Sequence, residues 1–260
     1  MSLRYVLDDY DMEGFLRQAK AFDAKSFAFV VTPNADHLIR YHDEPVFRAS
    51  YADADYILLD SRFLSIFMRI AKAIRLQVCT GSDLTAQLFA RVISPTDRVV
   101  LLGCADAQAR MLAERHGLKD LHHFNPPMGF IKDPTEVERC VEFIESRSPF
   151  RFCFLAVGVP QQEMIAHRLK SRGVARGMAL CIGASINFLT GVERRAPCWM
   201  QRIGMEWLFR LARNPLRLAN RYLVRGPRIF ALMLFTDIVV RPQLDALRAS
   251  PAPGAIRPSA

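Results

Sequence analysis

Six apolar runs in this chain close on residues that can handle a phosphate or move a proton. SFAFVVT closes on Thr32, ahead of Pro33-Asn34; YILLD closes on Asp60, ahead of Ser61; LQVCT closes on Thr80, ahead of Gly81-Ser82-Asp83. RVVLLG ends on Gly103, FCFLAVG on Gly158 ahead of Val159-Pro160-Gln161-Gln162-Glu163, and MALCIG on Gly183 ahead of Ala184-Ser185. A carboxylate such as Asp60 can accept a proton from an attacking hydroxyl. Glycine lets backbone amides approach phosphate closely, and a helix starting just after it adds partial positive charge. Two plainer roles stay open: Asp60 as the cap of a following helix, and Glu163 as a first-turn carboxylate that complements the helix dipole. Pro33 also leaves a turn role open for Thr32 and Asn34.

Several chemistries are disfavoured by what the sequence lacks. It contains no P-loop and no GxGxxG, which counts against ATPase and classical dinucleotide readings and leaves a sugar-nucleotide diphosphate open. Asp53-Ala54-Asp55 has the DxD form of metal-dependent transferases, but it precedes an apolar run, on the wrong side of a sheet for ligand binding. His37 and His122-His123 belong to no metal constellation, so no metal and no cofactor is expected.

The six runs, rich in Val, Ile, Leu and Phe, have the character of strands buried on both faces. Helical patterns lie between them: DMEGFLRQAKAF, SDLTAQLFARVI, ADAQARMLAERHG and DPTEVERCVEFIESR, the last started by Asp133 and Pro134. This alternation predicts an α/β fold with a parallel sheet, whose ligands bind beyond the carboxyl ends of its strands.

Charge divides the chain. Of the net +9, residues 194–241 carry +8 and residues 1–193 carry none. We therefore expect an α/β catalytic domain over 1–193, a basic amphipathic helical appendage over 194–241 and a disordered Pro/Ala/Ser-rich tail over 242–260. Arg210, Arg213, Arg217, Arg221, Arg225 and Arg228 recur every three or four residues, beside a second stripe of Leu208, Leu211, Leu218 and Tyr222. Pro215 and Gly226-Pro227 should break this segment into two or three helical pieces. The apolar IFALMLF (229–235) is much shorter than the ~20 residues a bilayer crossing requires, so the expectation is a segment lying on an anionic membrane surface. A solvated basic face and a nucleic-acid-binding surface are the rival readings. Trp199, Trp207, Phe209 and Tyr222 form no base-stacking motif, and no nucleic acid is expected as a partner. The opening MSLRYVLDDYDMEG has no basic stretch and apolar run of a secretion signal, and the six scattered cysteines suit reduced thiols. A peripheral location on the cytoplasmic face of the inner membrane is expected.

The segments TPNADH, ADYILLDS, TGSDL, FNPPMGF, GVPQQE, GASINFLTG and RRAPCWMQRIGMEWLFRL, in this order, resemble the WecG/TagA/CpsF glycosyltransferase family from about Thr32 to Arg228. The resemblance implies a Rossmann-like core of the GT-E type. It also implies an inverting enzyme that moves a sugar from a UDP-sugar onto an undecaprenyl-diphosphate-linked sugar. TGSDLTAQLF and INFLTG are similar to the xanthan-type exopolysaccharide branch, which implies β-1,4 glucosyl transfer; N-acetylmannosaminyl transfer and a non-catalytic sugar-nucleotide-binding protein are the alternatives. By the same resemblance Asp60 is the base, with Thr32 and Asn34 orienting a substrate. Gly129, Phe130, Gly158, Gln162, Glu163, Gly183 and Asn187 hold the nucleotide sugar, and the arginines from Arg210 to Arg228 meet diphosphate. Asn187, where many relatives have Asp, puts the donor sugar in question. Self-association is left open.

Overall fold

The computed structural model describes residues 3–243. Its strands are β1 (Arg4–Asp9), β2 (Phe27–Val31), β3 (Tyr56–Ile57), β4 (Arg98–Leu102), β5 (Asp120–Phe124), β6 (Phe152–Leu155), β7 (Gly177–Cys181) and β8 (Asp237–Pro242). The helices α1 (Met12–Ala21), α2 (Ala35–Asp43), α3 (Pro45–Ala52), α4 (Arg62–Lys72) and α5 (Gly81–Arg91) come before β4. They are followed by α6 (Asp106–His116), α7 (Pro134–Glu145), α8 (Gln161–Arg172) and α9 (Ser185–Leu189). Finally α10 (Cys198–Arg202), α11 (Glu206–Arg213), α12 (Pro215–Ala219) and α13 (Arg228–Phe235) lead into β8.

Six strands form one parallel sheet in the order β3-β2-β7-β6-β4-β5. Alternate side chains enter opposite layers: Phe29 and Val31 join one core cluster, Ala28 and Val30 the other. A sheet covered by helices on both faces needs this continuous apolar character. Its register sets the site. Val31 and Leu155 both pair with Cys181, and Leu102 pairs with Leu155, so the carboxyl ends of β2, β7, β6 and β4 are level. Thr32, Gly183, Gly158 and Gly103 therefore follow adjacent strand ends along one rim.

Two expected strands are corrected. Residues 76–80 belong to no strand, although Cys79 N–H still reaches Leu59 O at 3.0 Å. YILLD keeps only Tyr56–Ile57 as strand, joined by a bridge from Asp8 to Leu58. Asp55 accepts from Phe29 N–H and Lys170, while Asp53 lies 2.8 Å from His167. Four cysteines are buried and all six are free.

The basic segment does not project as a separate arm. Pro215 starts α12, residues 220–225 form a wide helical turn, and Gly226-Pro227 precedes α13. α13 packs against α2 and α4 through the buried Ile229 and Met233, and β8 pairs in parallel with β1 from Arg4↔Asp237 to Asp9↔Pro242. Only part of IFALMLF is therefore exposed: Phe230, Ala231, Leu234 and Phe235. Among the described residues, no helix is long and apolar enough to cross a membrane. The expected tail lies, from residue 244 onward, outside the described residues.

Candidate active site

The site is built on short capped turns at the sheet rim. Asn34 caps α2 by accepting from Asp36 N–H at 3.0 Å, while its own N–H donates to His37 Nδ1 at 3.3 Å. His37 Nδ1 also lies 3.1 Å from Asn34 Oδ1, and its Nε2 lies 3.3 Å from Glu163 Oε1. Glu163 is fully buried and also accepts from Gln162 Nε2 at 2.7 Å; Gln162 Oε1 in turn accepts from Gly183 N–H at 2.8 Å. A buried chain thus links the turns after β2, β6 and β7; it engages Glu163 Oε1 and leaves Oε2 buried without a hydrogen-bond partner. Thr32 Oγ1 donates to Cys181 O at 3.2 Å, a further tie between β2 and β7. A Cβ on Gly81 would come within 2.8 Å of that hydroxyl, so only glycine permits this approach of α5 to β2.

Asp60 occupies the centre. Ser61, not Asp60, caps α4, accepting from Leu64 N–H at 3.2 Å. The Asp60 backbone N–H is held by Pro33 O at 2.8 Å, leaving its carboxylate for Gly81 N–H and the site. Burial pushes its pKa from 3.8 to about 7; Arg210 pulls it down, and Glu206 and Asp83 push it up. A carboxylate so poised can accept a proton near neutral pH.

Two cavities of about 440 and 450 Å³ meet at this carboxylate and share Asn34, Asp36, Asp60, Arg210, Arg221 and Tyr222 as lining. Each is within the range of about 300–1,000 Å³ that suits a small ligand. The second cavity lies over the sheet rim, where Gly158, Gln162, Gly183, Ser185 and Arg225 line it. Gly183 adopts a φ of 54°, with open space where a Cβ would project. The first cavity runs between α4, α11 and α13 and is walled by aromatic side chains. Arg210, Arg221 and Arg225 turn towards the cavities, whereas Arg213 and Arg228 are exposed. Arg210 Nη2 bonds Glu206 Oε1 at 2.6 Å and its guanidinium stacks over Phe188, while Arg221 reaches Asn34 Oδ1 at 3.4 Å and Asp36 at 3.7 Å. Burial works to raise the Asp36 pKa, but Arg221 and Arg40 outweigh it and hold the carboxyl below its usual range.

The chain matches the model of the glycosyl transferase WecG/TagA/CpsF family over residues 2–242. It belongs to that family. The WecG/TagA/CpsF match makes the chain a glycosyltransferase and covers the basic segment together with the core. A similar protein from Bacillus spizizenii, named N-acetylglucosaminyldiphosphoundecaprenol N-acetyl-beta-D-mannosaminyltransferase, is 27% identical over 198 residues, 75% of each chain. A protein of the same name from Bacillus subtilis is 32% identical over 89 residues, 34% of this chain and 33% of its own.

Within this WecG/TagA/CpsF chain the sequence-derived candidates separate. Thr32, Asn34, Asp60, Gly158, Gln162, Gly183, Arg210, Arg221 and Arg225 line one or both cavities, and Glu163 sits directly beneath. Gly129 and Phe130 lie after the edge strand β5 and are not cavity lining; Gly129 is exposed with a φ of 81°. Asn187 bonds Gln108 and Glu193, also outside the lining. Arg228 forms a two-pronged pair with Asp43, at 2.8 Å for both bonds, and Arg213 stacks on Phe209. Of Arg217 the structure describes the backbone within α12. Sequence reasoning passed over Asp36, Glu206, Trp207 and Tyr222 as site residues. Glu206 and Trp207 stand in the quoted EWLFRL block, where they read as helical amphipathicity, and only the fold-back of α11 brings them to Asp60. No group of three or more His, Cys, Asp or Glu suited to a metal occurs among the described residues.

Proposed function

We propose that the chain is an inverting transferase that moves N-acetylmannosamine from its UDP donor onto N-acetylglucosaminyl-diphospho-undecaprenol. The observation that carries this reading is Asp60, with its pKa near 7, at the junction of two ligand-sized cavities. The donor lies in the rim cavity, with its diphosphate near the glycine turns and Arg221 and Arg225; the acceptor lies in the other. Asp60 takes the proton of the acceptor hydroxyl as its oxygen attacks the anomeric carbon from the face opposite the diphosphate. The bond to the diphosphate breaks, and UDP leaves with its charge met by guanidiniums and amide N–H groups. No divalent ion takes part, so turnover should survive exhaustive EDTA treatment; loss restored by Mg²⁺ or Mn²⁺ would reverse this point.

The names of both similar proteins support N-acetylmannosamine over the glucose suggested by TGSDLTAQLF and INFLTG. Asn187, the ground for questioning the donor sugar, bonds to Gln108 and Glu193 away from the cavity lining, which weakens that objection. Peripheral attachment at the cytoplasmic face of the inner membrane fits a lipid-linked acceptor. The test is a matrix of UDP-sugars against N-acetylglucosaminyl- and glucosyl-diphospho-lipid, with product mass, linkage and anomeric configuration determined. We expect a β-linked N-acetylmannosaminyl product; transfer confined to glucose would return the reading to the glucosyl branch.

A further inference from the structure

The first cavity is more apolar than a sugar requires. Beside Asp60 it is walled by Phe63, Trp207, Tyr222, Leu223, Ile229 and Phe230, contributed by α4, α11, the 220–225 turn and α13. Phe230 packs edge-on against both Phe63 and Phe67, at ring separations of 5.8 and 5.5 Å, which fixes this wall. Three guanidiniums, from Arg62, Arg210 and Arg221, share the lining with three carboxylates, Asp36, Asp60 and Glu206. Leu223 is 58% and Phe230 48% exposed, so both belong to the cavity and to the surface at once. Their neighbours Val224 and Leu234 are also exposed, which carries apolar character outward from the cavity mouth.

The cavity brings together a proton-accepting carboxylate, guanidiniums and an aromatic wall opening on an apolar rim, the groups that one ligand with a sugar hydroxyl, a diphosphate and a prenyl chain would use. We propose that this cavity binds the prenyl segment of the acceptor nearest its diphosphate, so that the enzyme recognises the lipid directly as well as the sugar. The inference rests on the transferase reading above and adds a lipid-binding site to it. The cavity holds only the first part of a long chain, and the remainder leaves past Leu223 and Phe230. Polarity favours this occupant over a wholly apolar one, because a hydrocarbon without a headgroup would take Arg62, Arg210, Arg221 and the three carboxylates out of water and offer them no polar partner. A soluble sugar nucleotide would in turn leave the aromatic wall unused.

Farnesyl diphosphate tests this without vesicles, with inorganic diphosphate as its headgroup control. In a Trp199→Phe protein Trp207 is the only tryptophan and reports on the cavity by fluorescence. Farnesyl diphosphate should perturb Trp207 at a concentration at least about tenfold below that of diphosphate, and it should compete with lipid-linked acceptor. In Leu223→Ser/Phe230→Ser that advantage should shrink to within about threefold, with UDP binding unchanged. If the double variant loses UDP binding, Leu223→Ser alone carries the comparison. Equal response to both probes, or an advantage that the variants retain, would overturn the proposal. Farnesyl selectivity in a protein that transfers no sugar to any lipid-linked acceptor would support the cavity and sink the transferase reading; sugar transfer without farnesyl selectivity would do the reverse.

Discussion

Asp60 sits in the fold at a cost to stability. Its carboxyl ionises near 3.8 when unfolded and near 7 in the fold, so between these values the folded state binds more protons. Stability therefore falls as pH rises from about 4 to about 7 and stays lower above that, by at most ~4 kcal/mol. Asp60→Asn should accordingly raise the melting temperature at pH 8 by on the order of 5 °C, with little gain at pH 4. It should also lower kcat by roughly 10²–10⁴ with donor binding little changed. In the unmutated enzyme activity should drop about tenfold per pH unit below pH 7. A folded Asn variant with ordinary turnover would remove Asp60 as the base. Glu163 works differently, since nothing in it touches either cavity directly. Glu163→Ala would strip Gln162 and His37 of their shared partner and free the turn that holds Gly183. The expected result is a loss of about 1–3 kcal/mol and a weaker grip on the donor. Unchanged melting and donor KM would show that the buried chain does not position the rim.

At the level of elements, α11, the 220–225 turn and α13 separate two tasks that the sequence merged. The three-to-four spacing of arginines reads as one stripe, and helix breaks at Pro215 and Gly226-Pro227 were legible from residue type alone. The direction of the stripe was not, because it depends on acids far away in sequence: Asp36 for Arg221 and Asp43 for Arg225 and Arg228. The surface left outside mixes exposed arginines such as Arg202 and Arg213 with large apolar side chains, among them Leu216, fully exposed, and Phe235, 76% exposed. Arg221→Ala should therefore reduce transfer to soluble and lipid-linked acceptors alike, by tenfold or more, and leave flotation with anionic vesicles unchanged. Leu216→Ser/Phe235→Ser should weaken flotation, since each large apolar side chain buried contributes roughly 1.5–3 kcal/mol. The opposite pattern would restore the arginines as the docking face. The same limit explains the strands. Central β2, β4, β6 and β7 announce themselves as apolar runs because both their faces are covered. β5 (DLHHF) is an edge strand with polar side chains, and β1 and β8 lie outside the main sheet, so their partners, not their composition, make them strands.

Over the whole molecule, β1 and β8 draw the basic segment onto the core. Arg241 grips the buried Asp8 through two bonds of 2.6 and 2.7 Å, and Asp8 also accepts from Ile57 N–H at 2.6 Å. Arg241→Ala leaves that carboxylate short of its counter-charge, and we expect a loss of roughly 2–3 kcal/mol, read as a lower melting temperature. If melting is unaffected, the strand pair is not coupled to the core. This pairing also bears on the order in which a growing polypeptide acquires its parts. Translation releases the chain from β1 onward, and the six-stranded sheet has all its strands once Cys181 has emerged. At that moment Asp60 and Phe63 have already been made, but Arg210, Arg221, Trp207, Tyr222 and Phe230 have not yet left the ribosome. β1 meanwhile waits for a partner more than two hundred residues away, a contact of the longest sequence separation and so among the slowest to form. A nascent chain can thus hold a finished scaffold with neither chamber enclosed until β8 closes beside β1.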